Sequence, residues 1–201
     1  MGEETFFQPL TKEDKISVIL YRSGIVLSSF ITAIIAFMFY HAETYRTLGD
    51  LSLRVNAVLV ALYISVGMSV FFIHLYVSKF HRALKQLYYV SVVALMVLFI
   101  LGKGDPSAVL FHRSFGPLLL LPLSGCLGFV TAKEAFCFRL AEGYLLTLIM
   151  PAYLVLLSAG VMTLRGILCG SALIAALLLF FTVRKVFMPL HYDIGDKSAY
   201  S

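Results

Sequence analysis

Charge is what this chain has least of. Asp, Glu, Lys and Arg make up 13% of its 201 residues, against about 25% in soluble domains. Hydrophobic residues fill the gap at 60%, where soluble domains hold about 45–50%. A water-soluble globule is excluded on both counts. The signatures of common catalysts are missing too: the sequence holds no HExxH, no GxSxG, no Walker sequence and no glycine-rich dinucleotide fingerprint. Every aspartate (Asp14, Asp50, Asp105, Asp193, Asp196) falls outside the apolar runs. An intramembrane aspartyl protease or a carboxylate dimetal centre therefore lacks its raw material, and the chain reads against catalysis. Cysteine is scarce. Cys126, Cys137 and Cys169 form no CxxC and have no histidine at zinc spacing. They read as small buried hydrophobes, and nothing signals a Cys126–Cys137 disulfide. No arginine-rich face with interleaved aromatics speaks for nucleic acid, despite the net charge of +5.

What is present is a series of long apolar runs. They are too long for barrel strands and show no strand-like alternation or fixed repeat. The first is no cleavable leader, because Glu3, Glu4, Glu13 and Asp14 crowd its approach and no A-x-A site follows. A single transmembrane helical domain over 1–201 accounts for the whole length, with 1–15 as a short cytoplasmic lead and 185–201 as a cytoplasmic tail. Thr11 and Asp14 sit at capping-box positions. Span one then runs from Ile16 to Tyr40, with Arg22 snorkelling to the interface. Span two covers Arg54 to Val77 and carries Ser65, Gly67 and Ser69, small residues that permit close helix contact. Ser78 and Lys79 begin a tight turn. Span three starts near Phe80 and ends at Leu101. In Gly102–Pro106, Asp105 is placed to cap a short interfacial helix with Pro106 in its first turn. Segment four, Leu118 to Thr131, is short and broken by Pro122, Gly125 and Gly128. Span five is Tyr144 to Leu164, containing Pro151, and span six is Gly166 to Val183. Tyr21, Tyr40, Tyr76, Tyr88, Tyr89 and Tyr144 fall near span ends, as an interfacial belt places them.

Basic residues orient the bundle. Six spans with both termini cytoplasmic put eleven Lys and Arg inside and five outside. If segment four only dips and returns, the count becomes seven against nine. The positive-inside rule favours six spans.

Lys133-Glu134-Ala135-Phe136-Cys137-Phe138-Arg139-Leu140-Ala141-Glu142-Gly143 is the richest stretch, with four charges between two apolar segments. Hydrocarbon tolerates such groups only when they pair, snorkel or line a polar cavity. Three readings stand: a solvated turn, an intramembrane salt-bridge network, or a substrate or ion site built on proline-broken helices. The candidate charged site is Lys133, Glu134, Arg139 and Glu142. If the block is helical, Arg139 and Glu142 face each other. Segment four is apolar for only about 14 residues, roughly 21 Å at helical rise against a ~30 Å hydrocarbon core. The helix is therefore expected to run on past Thr131 and hold Glu134 toward the bundle. His74 and His81, seven apart, share a helical face if the helix continues through the intervening turn. They are the candidate ligands for haem or chlorophyll, although a solvated interfacial role is the plainer reading, and no cofactor is otherwise indicated.

The run from Gly116 to Gly143, GPLLLLPLSGCLGFVTAKEAFCFRLAEG, and above all its KEAFCF core followed by Arg139 and Glu142-Gly143, resembles a family of integral membrane proteins classed as domain of unknown function 2301. The similarity spans most of the chain beyond the first helix. The resemblance implies a cyanobacterium or plant plastid, and hence a thylakoid or plasma membrane. It carries no settled activity or site. The leading expectation is an accessory, assembly or stabilising factor for membrane complexes, held in lipid and partnered by a larger complex or a second copy of itself. A small-solute or ion transporter is the rival, and a membrane enzyme comes third.

Overall fold

The computed structural model describes residues 11–45, 51–75 and 77–194. Arg46, Asp50, Tyr76, Asp196, Lys197 and Ser201, all used in the sequence reading, lie outside the described residues. Among the described residues seven α-helices follow one another: α1 (Lys12–Tyr45), α2 (Leu51–Phe72), α3 (Ser78–Leu101), α4 (Pro106–His112), α5 (Leu121–Phe138), α6 (Ala141–Ser158) and α7 (Leu164–Val186). Six segments among them are long and apolar enough to cross a membrane, and α4 is a short cap between the third and fourth.

Local chemistry sets the boundaries. Thr11 and Asp14 close a reciprocal capping box at the start of α1. The Asp14 amide donates to Thr11 Oγ1 at 3.2 Å, and the Thr11 amide donates to Asp14 Oδ2 at 2.8 Å. Asp105 caps α4 by accepting from the Ser107 amide at 3.1 Å, and Pro106 occupies the first turn. The Asn56 side chain donates to the same carboxylate at 2.9 Å, tying this cap to α2. Span two ends at Phe72 rather than Val77, and the chain reverses before α3 begins at Ser78. Ser78 and Lys79 are consequently the first residues of α3, not a turn. The fourth crossing is compound. A 3-10 turn over Gly116–Leu120 hands over to α5 at Leu121, so Pro117 and Pro122 both sit in opening turns, where a missing N–H costs little. The helix then runs on past Thr131 to Phe138, which supplies the length that the apolar run alone lacks.

The six long helices form a closed ring in the order α1, α2, α3, α5, α6, α7, with α2 also touching α5 across it. Lipid tails give helices no hydrophobic reason to associate, so close packing and buried hydrogen bonds must hold the ring. Small residues make this possible. A Cβ on Gly24 of α1 would lie 2.6 Å from the Ser65 carbonyl oxygen and 2.7 Å from the Ser69 amide of α2. Ser28 and Ser65 bond through their hydroxyls at 2.8 Å across this contact, and Ser69 Oγ donates to the Tyr21 carbonyl at 3.3 Å. At the α5–α6 contact, a Cβ on Gly143 would meet the Thr131 carbonyl and come within 2.9 Å of Ala135 Cβ. Thr147 Oγ1 donates to the Gly128 carbonyl at 2.9 Å beside it. The outward faces are apolar: Phe30, Phe37, Ile100 and Leu148 are all exposed, as a lipid-facing surface requires.

Three expectations about single residues need correction. Tyr21 does not belong to an interfacial belt, being fully buried in the core, and neither do Tyr88 and Tyr89, which lie at the midpoint of α3, with the Tyr88 hydroxyl donating to the Tyr63 carbonyl at 2.9 Å; Tyr40 and Tyr144 are exposed near helix ends. Of the cysteines only Cys126 is buried; Cys137 and Cys169 are exposed on the bundle surface, and all three are free thiols. Arg22 does not snorkel. It points into the protein and is buried, because its partners lie in the C-terminal turn.

Candidate functional site

The N-terminal end of α1, the ends of α5 and α7 and the start of α6 meet at one end of the bundle. Alternating charges converge there. Glu134, one turn before the end of α5, is fully buried. Its Oε1 accepts from Lys133 Nζ at 2.7 Å and from the Tyr21 hydroxyl at 2.7 Å. Its Oε2 pairs with Lys185 of α7, which is itself fully buried. Lys185 also pairs with Asp193, and its ammonium lies 4.1 Å from the Phe138 ring centroid. Asp193 in turn accepts from Arg22 Nε at 2.6 Å. A continuous chain results: Arg22, Asp193, Lys185, Glu134, Lys133. It joins α1, α5, α7 and the C-terminal turn.

Arg22 does a second job. Its guanidinium donates to the carbonyls of Val186 (3.2 Å), Met188 (2.6 Å) and Pro189 (3.0 Å). A helix end leaves carbonyls with no partner along its own chain, and the dipole there is negative. A cation from α1 thus caps the end of α7. Pro189 then opens the 3-10 turn Leu190–Asp193 that aims Asp193 back at Lys185. Residue 185 accordingly belongs to the last turn of α7, and the turn Leu190–Asp193 folds back onto the bundle.

The four residues of the charged block separate into different roles. Lys133 and Glu134 are in the network. Glu142 is buried but pairs with Arg184, whose Nη1 lies 2.9 Å from both carboxylate oxygens. Arg139 is exposed and takes a left-handed conformation, φ 55°, at the corner between α5 and α6. The expected Arg139–Glu142 pairing fails because the chain reverses at 139–140, so the two residues do not share a helix. Tyr21, Arg22, Lys185 and Asp193 were missed. Arg22 and Lys185 looked like ordinary span-end cations, and Asp193 like a tail residue; only their distant partners reveal them.

His74 and His81 do not share a helical face either, since His74 lies in the reversal after α2 and His81 in the first turn of α3. The reversal nonetheless brings both to one cavity of about 520 Å³ at the same end of the bundle. His74 Nε2 lies 3.3 Å from Ser17 Oγ of α1. Burial, reinforced by Lys133, lowers the His74 pKa below its ordinary value, with Asp193 and Asp14 opposing. Among the described residues, no three His, Cys, Asp or Glu side chains come together to hold a metal ion. A second cavity, about 650 Å³ and mostly apolar, lies at the opposite end between α1, α2, α4, α6 and α7. Glu134 lines neither cavity.

The family model for DUF2301, uncharacterized integral membrane protein, matches residues 68–201. The chain belongs to this family. The match takes in Lys133, Glu134, Glu142, Arg184, Lys185 and Asp193, together with both cavity histidines, and leaves Tyr21 and Arg22 on the helix before it. No curated protein and no solved structure matches the chain. It is a multi-pass integral membrane protein.

Proposed function

We propose that the chain is an accessory protein of a membrane complex, serving its assembly or stability, with both termini on the cytoplasmic side. The resemblance to cyanobacterial and plastid proteins supports a thylakoid or plasma membrane as its setting. One observation carries the reading: Glu134, the best candidate for a substrate or ion ligand, has both oxygens engaged by Lys133, Tyr21 and Lys185 inside packed helices and faces no cavity. A transport site needs its charged group accessible to water from one side at a time. A carboxylate clamped between two ammonium groups instead fixes helices in place. The exposed apolar flanks of α1 and α3 offer surface to lipid or to a neighbouring membrane protein.

The test is to tag the chain in its native membrane, extract it in a mild detergent and size it on a native gel. A species well above the 22.3 kDa chain is expected, with a defined membrane complex in it whose level falls when the chain is deleted. A lone chain under every mild extraction, with unchanged complexes in the deletion, defeats the proposal. Solute flux through purified chain in liposomes, abolished by Glu134→Gln, would establish the transporter instead.

A further inference from the structure

The cavity that holds the two histidines has an uneven lining. Its polar wall carries His74, His81, Arg82 and Lys85, and among the described residues no Asp or Glu lines it. Among the described residues Arg82 has no ion pair, and Lys85 has only the Phe71 ring, 5.7 Å from its ammonium. His74 Nδ1 and His81 Nε2 are buried in the walls without a hydrogen-bond partner among the described residues, an arrangement that folded proteins rarely leave uncompensated. The lining also has an apolar part, built from Phe71, Phe72, Ile73 and Leu75. Of these, Phe71 and Phe72 are also exposed on the bundle surface, so the cavity continues onto the face that lipid covers. The N-terminus of α3, a 24-residue helix, begins at its edge and adds a positive dipole.

A ligand for this site must carry negative charge at one end and hydrocarbon at the other. Basic pockets between membrane helices at the headgroup level take anionic lipid headgroups by this combination, and an arginine beside a lysine suits a phosphate. We propose that the cavity binds the phosphate headgroup of an anionic phospholipid from the leaflet at the N-terminal end of the bundle, with its acyl chains lying along Phe71 and Phe72. The proposal goes beyond the accessory role and does not depend on it.

Native mass spectrometry of the purified chain tests it, using phosphatidylglycerol, phosphatidylcholine or inorganic phosphate as the added probe. One phosphatidylglycerol per chain should be retained at least tenfold more tightly than phosphatidylcholine, which has the same phosphate and tails but no net charge. Arg82→Gln with Lys85→Gln should erase that preference. Arg113→Gln, at the other end of the bundle, should leave it intact. The lipid comparison on the unaltered chain remains decisive if the double variant does not fold. Equal retention of the two lipids, or an unchanged preference in a folded double variant, overturns the proposal. Inorganic phosphate binding as tightly as phosphatidylglycerol overturns it as well, because the ligand would then be a soluble phosphoryl anion.

Discussion

Removing the charge of Glu134 is the sharpest perturbation of this structure. Glu134→Gln keeps the side-chain shape and leaves an oxygen for the Tyr21 hydroxyl. It also leaves Lys133 without an anion and Lys185 with Asp193 alone. Both Glu134 and Lys185 are fully buried, so water cannot take over the lost interaction. Breaking a buried pair from one side costs about 3–5 kcal/mol, a large part of the 5–15 kcal/mol typical of a whole domain. On the soluble-domain scale for a chain of this size, the melting midpoint should fall by roughly 6–20 °C. The assay is thermal unfolding in detergent of the unaltered chain, Glu134→Gln, Lys185→Met and the double variant. The two single costs should fail to add by about 0.5–3 kcal/mol, because the residues share one contact. Raising salt should change little, since screening acts weakly on buried pairs. If both singles shift the midpoint by less than about 2 °C, the equivalent of under about 1 kcal/mol, the network is not holding the helices and the reasoning fails.

Three further outcomes are expected. The depressed pKa of His74 makes its neutral form the one compatible with the fold; that contribution is complete above the ordinary value of 6.5 and is lost as pH falls through the lower folded value. Melting midpoints should thus decline on acidification below that range, and His74→Gln should flatten that part of the profile. Gly143→Val should destabilise the bundle by about 1–3 kcal/mol through the α5–α6 contact at Thr131 and Ala135; a variant that melts like the unaltered chain would show that the helices are not that close. Single cysteines at positions 79 and 105, in a background lacking Cys126, Cys137 and Cys169, should be labelled from opposite faces of sealed vesicles, with position 79 cytoplasmic, whereas labelling from one face would remove a crossing.

The sequence determined by itself that the chain crosses a membrane, and how many times. Hydropathy is local: about 20 apolar residues in succession are needed to satisfy the backbone through hydrocarbon, and no distant contact is required to see them. Caps are local too, which is why Thr11 with Asp14, and Asp105 with Pro106, are legible in the sequence. The length shortfall of segment four likewise pointed correctly to a helix continuing past Thr131. Charge pairing is not local. Arg22 and Asp193 are 171 positions apart, and Tyr21 and Glu134 are 113 apart. No spacing rule links such residues. Only near neighbours pair visibly in one dimension: Lys133 does meet the adjacent Glu134, whereas a two-residue reversal at 139–140 undid Arg139–Glu142. The distant partners of Glu134, the capping of α7 by Arg22 and the meeting of His74 with His81 in one cavity were decided by the tertiary structure. They depend on which helices the small residues allow to approach, and that is a property of the packed ring rather than of any segment within it.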